Sequence, residues 1–255
     1  MANLNNVILI RVNRQRNNTL VGTALLFVTM MSEASISLDR TRIIFNSADT
    51  SASVILQNKS EVLPYLAQSW LENAAGQKVD SLLSALPAIT RIDVGQKSLV
   101  RIISLPDIEQ LAADRETLFY FNVREIPPKS EITAVVQIAI QNKIKLFYRP
   151  AAIKADYKNV WQEKLQIRQQ GEELRIHNPT PYYVTLGHLN RDNRGNFPGF
   201  DSVMIAPFGT ESVKTPGYNG NGYSLGYMDD FGQMIIRSVN CSIGHCRIQA
   251  VEKKI

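Results

Sequence analysis

Few residues in this 255-residue chain have the type and spacing to do covalent or metal chemistry. The nearest approach is Cys241-Ser242-Ile243-Gly244-His245-Cys246, which contains both cysteines of the chain and one of its three histidines. In an oxidising compartment two thiols with four residues between them would close a small hairpin loop as a disulfide. Two free thiols, or half of a zinc site beside His245, are the alternatives. His177 and His188 are scattered elsewhere. Asp230-Phe231-Gly232 spells a kinase tripeptide, but no glycine-rich loop or catalytic loop accompanies it. A nucleophile elbow, a phosphate loop, a dinucleotide fingerprint and a two-histidine metal helix are also missing. Only a serine-histidine-carboxylate site assembled in space would escape such a scan. The chain therefore reads as a binding protein, not an enzyme, with no cofactor and no metal.

The binding chemistry is most legible from Ile132 to Pro150, ITAVVQIAIQNKIKLFYRP. Val136, Ile138, Ile140, Ile144 and Leu146 fall on one face of an extended chain, and Gln137, Gln141, Lys143 and Lys145 on the other. Ordinary strands run about 5 or 6 residues. A strand this long either crosses a large core or projects an apolar edge to which another chain adds a strand.

The elements around it are almost all β. Expected strands are Ile36 to Phe45, Ser53 to Asn58, Tyr65 to Leu71, Ala88 to Asp93, Ser98 to Ile103 and Leu118 to Val123, with the long strand as the seventh. Pro106 to Ala113 is expected to form a short helical segment. Seven strands in about 115 residues fit an immunoglobulin-like sandwich. Pro150-Ala151-Ala152 interrupts the pattern. A second set follows at Leu165 to Arg168, Glu173 to Asn178, Tyr182 to Leu189, Ser212 to Lys214, Ser224 to Met228 and Met234 to Asn240, with surface loops at Asn193 to Gly199 and Gly217 to Gly222. The fold class is all-β, with two immunoglobulin-like domains over residues 35–152 and 153–255.

Residues 1–34 differ in character. Arg11, Arg14 and Arg16 precede an apolar run from Leu20 to Met31 and then Ser32-Glu33-Ala34, the order of a secretory signal peptide cleaved after Ala34. The apolar run is too short to span a bilayer comfortably, so no stable membrane insertion is expected after cleavage. Removal of this leader lowers the formal charge from +5 to +3. The 28 basic residues are dispersed and no aromatic RNA-binding motif accompanies them, so nucleic acid is not an expected partner.

Five segments carry a resemblance. Ser37-Leu38-Asp39-Arg40-Thr41-Arg42, Leu63-Pro64-Tyr65-Leu66-Ala67-Gln68, Lys145-Leu146-Phe147-Tyr148-Arg149-Pro150, Asn178-Pro179-Thr180-Pro181-Tyr182-Tyr183 and the terminal cysteine pair occur in an order and spacing that resembles the periplasmic pilus-assembly chaperones, the PapD-like family. The short connection Pro127-Pro128-Lys129-Ser130-Glu131 resembles its short-loop branch. The resemblance implies two sandwiches at an angle around a cleft, pilin subunits as clients and an outer-membrane usher as recipient. It also implies that Arg42 and Lys145 anchor a subunit's terminal carboxylate, and that Val136, Ile138 and Ile140 are lent to its groove. Glu116, Arg149 and Asp230 would tie the two domains together, and Cys241 would pair with Cys246. Self-association of the free protein stays open. The competing reading is a secreted two-domain adhesion or structural module whose long strand pairs only internally.

Overall fold

The computed structural model describes residues 35–129, 138–155 and 159–249. The proposed signal segment and Val136 lie outside these residues. The described chain is β throughout, interrupted by three short 3-10 turns at Pro106–Gln110, Ala151–Ile153 and Trp161–Lys164. Among the described residues no helix is long and apolar enough to cross a membrane.

The first half builds two sheets over one core. Strands β1 (Ile36–Leu38), β2 (Arg42–Asn46), β3 (Ala52–Asn58), β4 (Tyr65–Asn73), β5 (Leu83–Leu86), β6 (Ile89–Ile92), β7 (Lys97–Ser104), β8 (Thr117–Ile126) and β9 (Gln141–Arg149) follow in order. One sheet runs β1-β3-β7-β5 and the other β2-β9-β8-β4-β6. Alternation places Val54, Leu56, Val100 and Ile102 of the first sheet against Phe119, Phe121, Val123 and Leu146 of the second, all in one buried cluster.

The expected single strand from Ile36 to Phe45 is in fact two strands, one in each sheet. The switch is made at Asp39. Its amide donates to the Ile55 carbonyl at 3.1 Å, and its carboxylate accepts the Ile55 amide at 3.1 Å. Its other carboxylate oxygen takes Arg40 Nη2 at 2.7 Å. A side chain thereby stands in for the next ladder partner, and the backbone is released to cross to β9.

The expected long strand is only partly described, since residues 132–137 lie outside the described residues. Among the described residues it begins at Gln141, and Ile138 to Ile140 carry no ladder assignment. Its neighbour explains this. The register of β8 on β9 ends with Arg124 opposite Gln141, and beyond it the Glu125 amide reaches the Ile140 carbonyl at 3.0 Å. Strand β8 stops at Ile126, and the following Pro127 and Pro128 have no N–H to offer.

The second half is β10 (Gln166–Gln169), β11 (Glu173–His177), β12 (Val184–Asn190), β13 (Val203–Ile205), β14 (Thr210–Lys214), β15 (Gly222–Met228), β16 (Met234–Ser242) and β17 (His245–Ile248). All eight form one continuous sheet, β13-β12-β15-β16-β17-β10-β11-β14. Both ends of that sheet feed the same core: Leu186, Leu225 and Val239 meet Ile167, Leu174 and Val213. The sheet therefore doubles over as a sandwich, and the β16–β17 hairpin passes the hydrogen bonding from one layer to the other. Cys241 and Cys246 are paired as a disulfide across this hairpin.

Candidate functional site at the open edge of β9

Strand β9 pairs with β8 from Gln141 to Tyr148, but its other edge is only half used. Parallel pairing with β2 starts at Arg42 opposite Lys145 and runs to Asn46 opposite Arg149. From Gln141 to Ile144 that edge has no strand partner among the described residues. Among the described residues a side chain bridges the gap there, Asn142 Nδ2 donating to the Ile36 carbonyl at 3.0 Å. Just before it, Ile140 is half-buried and Ile138 is 69% exposed. An isoleucine so exposed on an unpaired edge is a ready site for strand addition.

The open edge ends at two cations. Arg42 and Lys145 are brought side by side by the parallel register. Lys145 Nζ lies 3.3 Å from Thr185 Oγ1 of β12, and no ion pair is formed by either residue among the described residues. Arg42 Nε is buried and has no hydrogen-bond partner. Burial pushes the Lys145 ammonium below its ordinary value, and the Arg42 charge adds to that push. Burial likewise lowers Arg42, opposed by the charges of Asp230 and Asp229. Two half-buried cations, one of which lowers the other, with no ion pair among the described residues form a site short of negative charge. A carboxylate placed between them would be held by charge-assisted hydrogen bonds.

Further along the same face of β9, Arg149 is 1% exposed. Its guanidinium takes Glu116 Oε1 at 2.7 and 2.8 Å and grips Asp230 in two bonds of 2.8 and 3.1 Å. The other Glu116 oxygen accepts the Tyr183 amide at 2.7 Å, and the Glu116 amide donates to the Pro181 carbonyl at 2.9 Å. The structure thus brings together all three residues of the expected cluster. Burial pushes the Glu116 carboxyl up, against the pull of Arg149 and the Tyr183 amide. Burial also opposes the Arg149 charge, but Asp230 and Glu116 outweigh it and hold the guanidinium above its ordinary value.

The sequence scan missed the aromatic half of this junction. The Arg149 guanidinium lies 5.2 Å from the Trp161 ring centre and 5.0 Å from that of Tyr182. Tyr182 Oη donates to the Ile153 carbonyl at 2.6 Å, fastening the segment that follows β9. The loop is shaped by Asn178, whose Nδ2 reaches the Tyr182 carbonyl at 2.7 Å while its Oδ1 accepts from Thr180 Oγ1 at 2.7 Å. The Asn-Pro-Thr-Pro-Tyr-Tyr segment is therefore a dock for Glu116 and Arg149. No motif in the sequence links Trp161 or Tyr182 to Arg149.

Comparison with known proteins decides the family. Residues 35–154 match the family model "Pili and flagellar-assembly chaperone, PapD N-terminal domain" and residues 160–237 match "Pili assembly chaperone PapD, C-terminal domain". The chain belongs to the PapD-like chaperones. It is 47% identical to an uncharacterized fimbrial chaperone, YbgP, of Escherichia coli K12, over 90% of this chain and 96% of that protein. It is 43% identical to the Escherichia coli chaperone protein PapD, over 92% and 98%. Among solved structures it resembles the chaperone SafB in complex with the Salmonella enterica SafA pilin, with a TM-score of 0.71, 25% identity, and coverage of 83% of this chain and 98% of that one. Within this PapD-like chain the all-β, two-sandwich architecture and the pilus-assembly chaperone class go together.

Proposed function

We propose that this PapD-like chaperone acts in the periplasm, caps pilin subunits by lending them β9 and the residues before it, and passes them to an outer-membrane usher. The observation that carries this reading is an open strand edge that terminates at two half-buried cations with no ion pair among the described residues. A pilin whose last strand added to that edge would bring its terminal carboxylate to Arg42 and Lys145. Strand addition of this kind has chaperone–pilin pairs among its standing examples. Hydrogen bonds to a charged carboxylate contribute about 1.5 to 3 kcal/mol each. Ile138 and Ile140, with Val136 outside the described residues, would fill the pilin's groove at about 1.5 to 3 kcal/mol per side chain before association costs.

In this reading residues 1–34 are an export signal, 35–152 form the subunit-binding domain and 153–255 the second domain. Glu116, Arg149 and Asp230 hold the junction between them. No catalytic step or cofactor enters the scheme. Arg42→Ala and Lys145→Ala should each abolish co-purification of pilin from periplasmic extracts while the far-ultraviolet circular dichroism of the free protein is unchanged. Undiminished pilin recovery with either variant would overturn the anchor.

A further inference from the structure

The outward face of the β17-β10-β11-β14 layer of the second sandwich carries a charge arrangement that folding alone does not favour. On β10 and β11 the outward residues Arg168 and Arg175 stand directly opposite each other. On the other side of Arg168, the register places His245 of β17 directly opposite it. Three basic residues thus form one transverse row over three adjacent strands, about 10 Å from end to end at the usual strand spacing. Arg247, two residues beyond His245, faces the same way, and Lys214 extends the face onto β14. Like charges directly opposite each other on a sheet are destabilising.

Among the described residues none of them is held in an ion pair. Arg168, Arg175, Arg247 and Lys214 are exposed, and none makes a side-chain hydrogen bond or ion pair among the described residues. The acidic neighbours are few. Glu173 shares the face, at its edge opposite Lys214. Glu163 is engaged by Arg237 at 2.7 Å, and Glu211, exposed on the end strand β14, lies opposite Ile176 and alternates away from this row. The apolar residues of these strands, Ile167, Leu174, Ile176 and Val213, all point into the core.

We propose that this face adsorbs to a membrane surface rich in anionic phospholipid. Protein partners are held chiefly by a desolvated cluster of aromatic and apolar anchors, which this face lacks. A plane of phosphate headgroups needs no such cluster. It engages separate point charges additively, each Lys or Arg near it strengthening association about fivefold. A flat, polar, multiply cationic sheet surface has the complementary charge and shape for it.

The test is co-sedimentation of the protein purified from periplasmic extract with vesicles of phosphatidylethanolamine and phosphatidylglycerol, and with vesicles of phosphatidylcholine alone. Binding is expected on the anionic vesicles at low salt and is expected to vanish at 0.5 M salt, where screening is confined to about 4 Å. The phosphatidylcholine vesicles should retain none. The triple variant Arg168→Gln, Arg175→Gln, Arg247→Gln should lose about 100-fold in partitioning with unchanged circular dichroism. Lys97→Gln with Arg101→Gln, on β7, should lose little. Equal binding to both vesicle types, no binding to either, or equal losses in the two variants would overturn the proposal. So would capture of an acidic protein or a DNA duplex by this face at salt that strips it from vesicles.

Discussion

Replacing Arg149 by Met tests how the two sandwiches are tied. The substitution removes both bonds to Glu116, both to Asp230 and the stacking between Trp161 and Tyr182, while preserving an unbranched side chain of similar reach. Asp230, with 11% of its side chain exposed, has a route to water, whereas Glu116, at 2%, has none. Glu116 is then a carboxylate buried against a single amide. Stranding a buried charge in this way costs about 3 to 5 kcal/mol. Urea unfolding followed by circular dichroism and by the tryptophan fluorescence of Trp70 and Trp161 together measures the loss. With a slope of about 1 to 3 kcal/mol per M, the midpoint should fall by about 1 M or more. Changing Glu116 to Gln in the same protein removes the stranded charge and should recover about 1 to 3 kcal/mol relative to the sum of the two single losses. An Arg149→Met loss under about 1 kcal/mol, or two losses that simply add, would refute the claim that the pair acts as a buried ionic unit.

Two further outcomes concern the approach to the open edge. Asp39 is held below the usual carboxylate range first by its bond from Arg40, then by the Ile55 amide and the Arg40 charge, against some burial. Its contribution is therefore present at neutral pH and lost as pH falls through its folded-state value. Asp39→Asn should lower the urea midpoint at pH 7 and converge with the unaltered protein once pH falls below the lowered folded-state value of Asp39, whereas a gap that stays constant with pH would contradict the assignment. Ile138→Asp, at a 69% exposed position, should change unfolding by no more than about 0.5 kcal/mol yet block pilin capture. A variant that unfolds instead would make Ile138 part of a core.

Much of the architecture was legible because alternation is a local signal. β3, β4, β7 and β8 lie where apolar and polar residues take turns, and the structure extends each by one to three residues at an end. What escaped was set by partners distant in sequence. Leu83–Leu86 contains only two large apolar residues and pairs as an edge strand on β7. Val203–Ile205 is three residues long and exists because β12 offers it a ladder. The break between β1 and β2 depends on Asp39 meeting Ile55, sixteen residues away. Of the junction, the charges Glu116, Arg149 and Asp230 were named through family resemblance, whereas the Trp161 and Tyr182 rings that flank Arg149 have no motif linking them to it. Cation and ring meet only once β9 and the second sandwich are packed together.

The parallel pairing of Arg42 with Lys145 fixes where the free edge of β9 stops. Seven residues separate Lys145 from Ile138, about 23 Å of extended chain. A tail held by its terminal carboxylate is therefore gauged from one end. Backbone pairing ignores which side chains it carries, so what the edge reads is length and odd-or-even position. One added terminal residue would shift every following side chain to the opposite side of the strand. Clients of such a device are free to diverge in composition, but not in the count of residues between their last groove-facing position and their final atom.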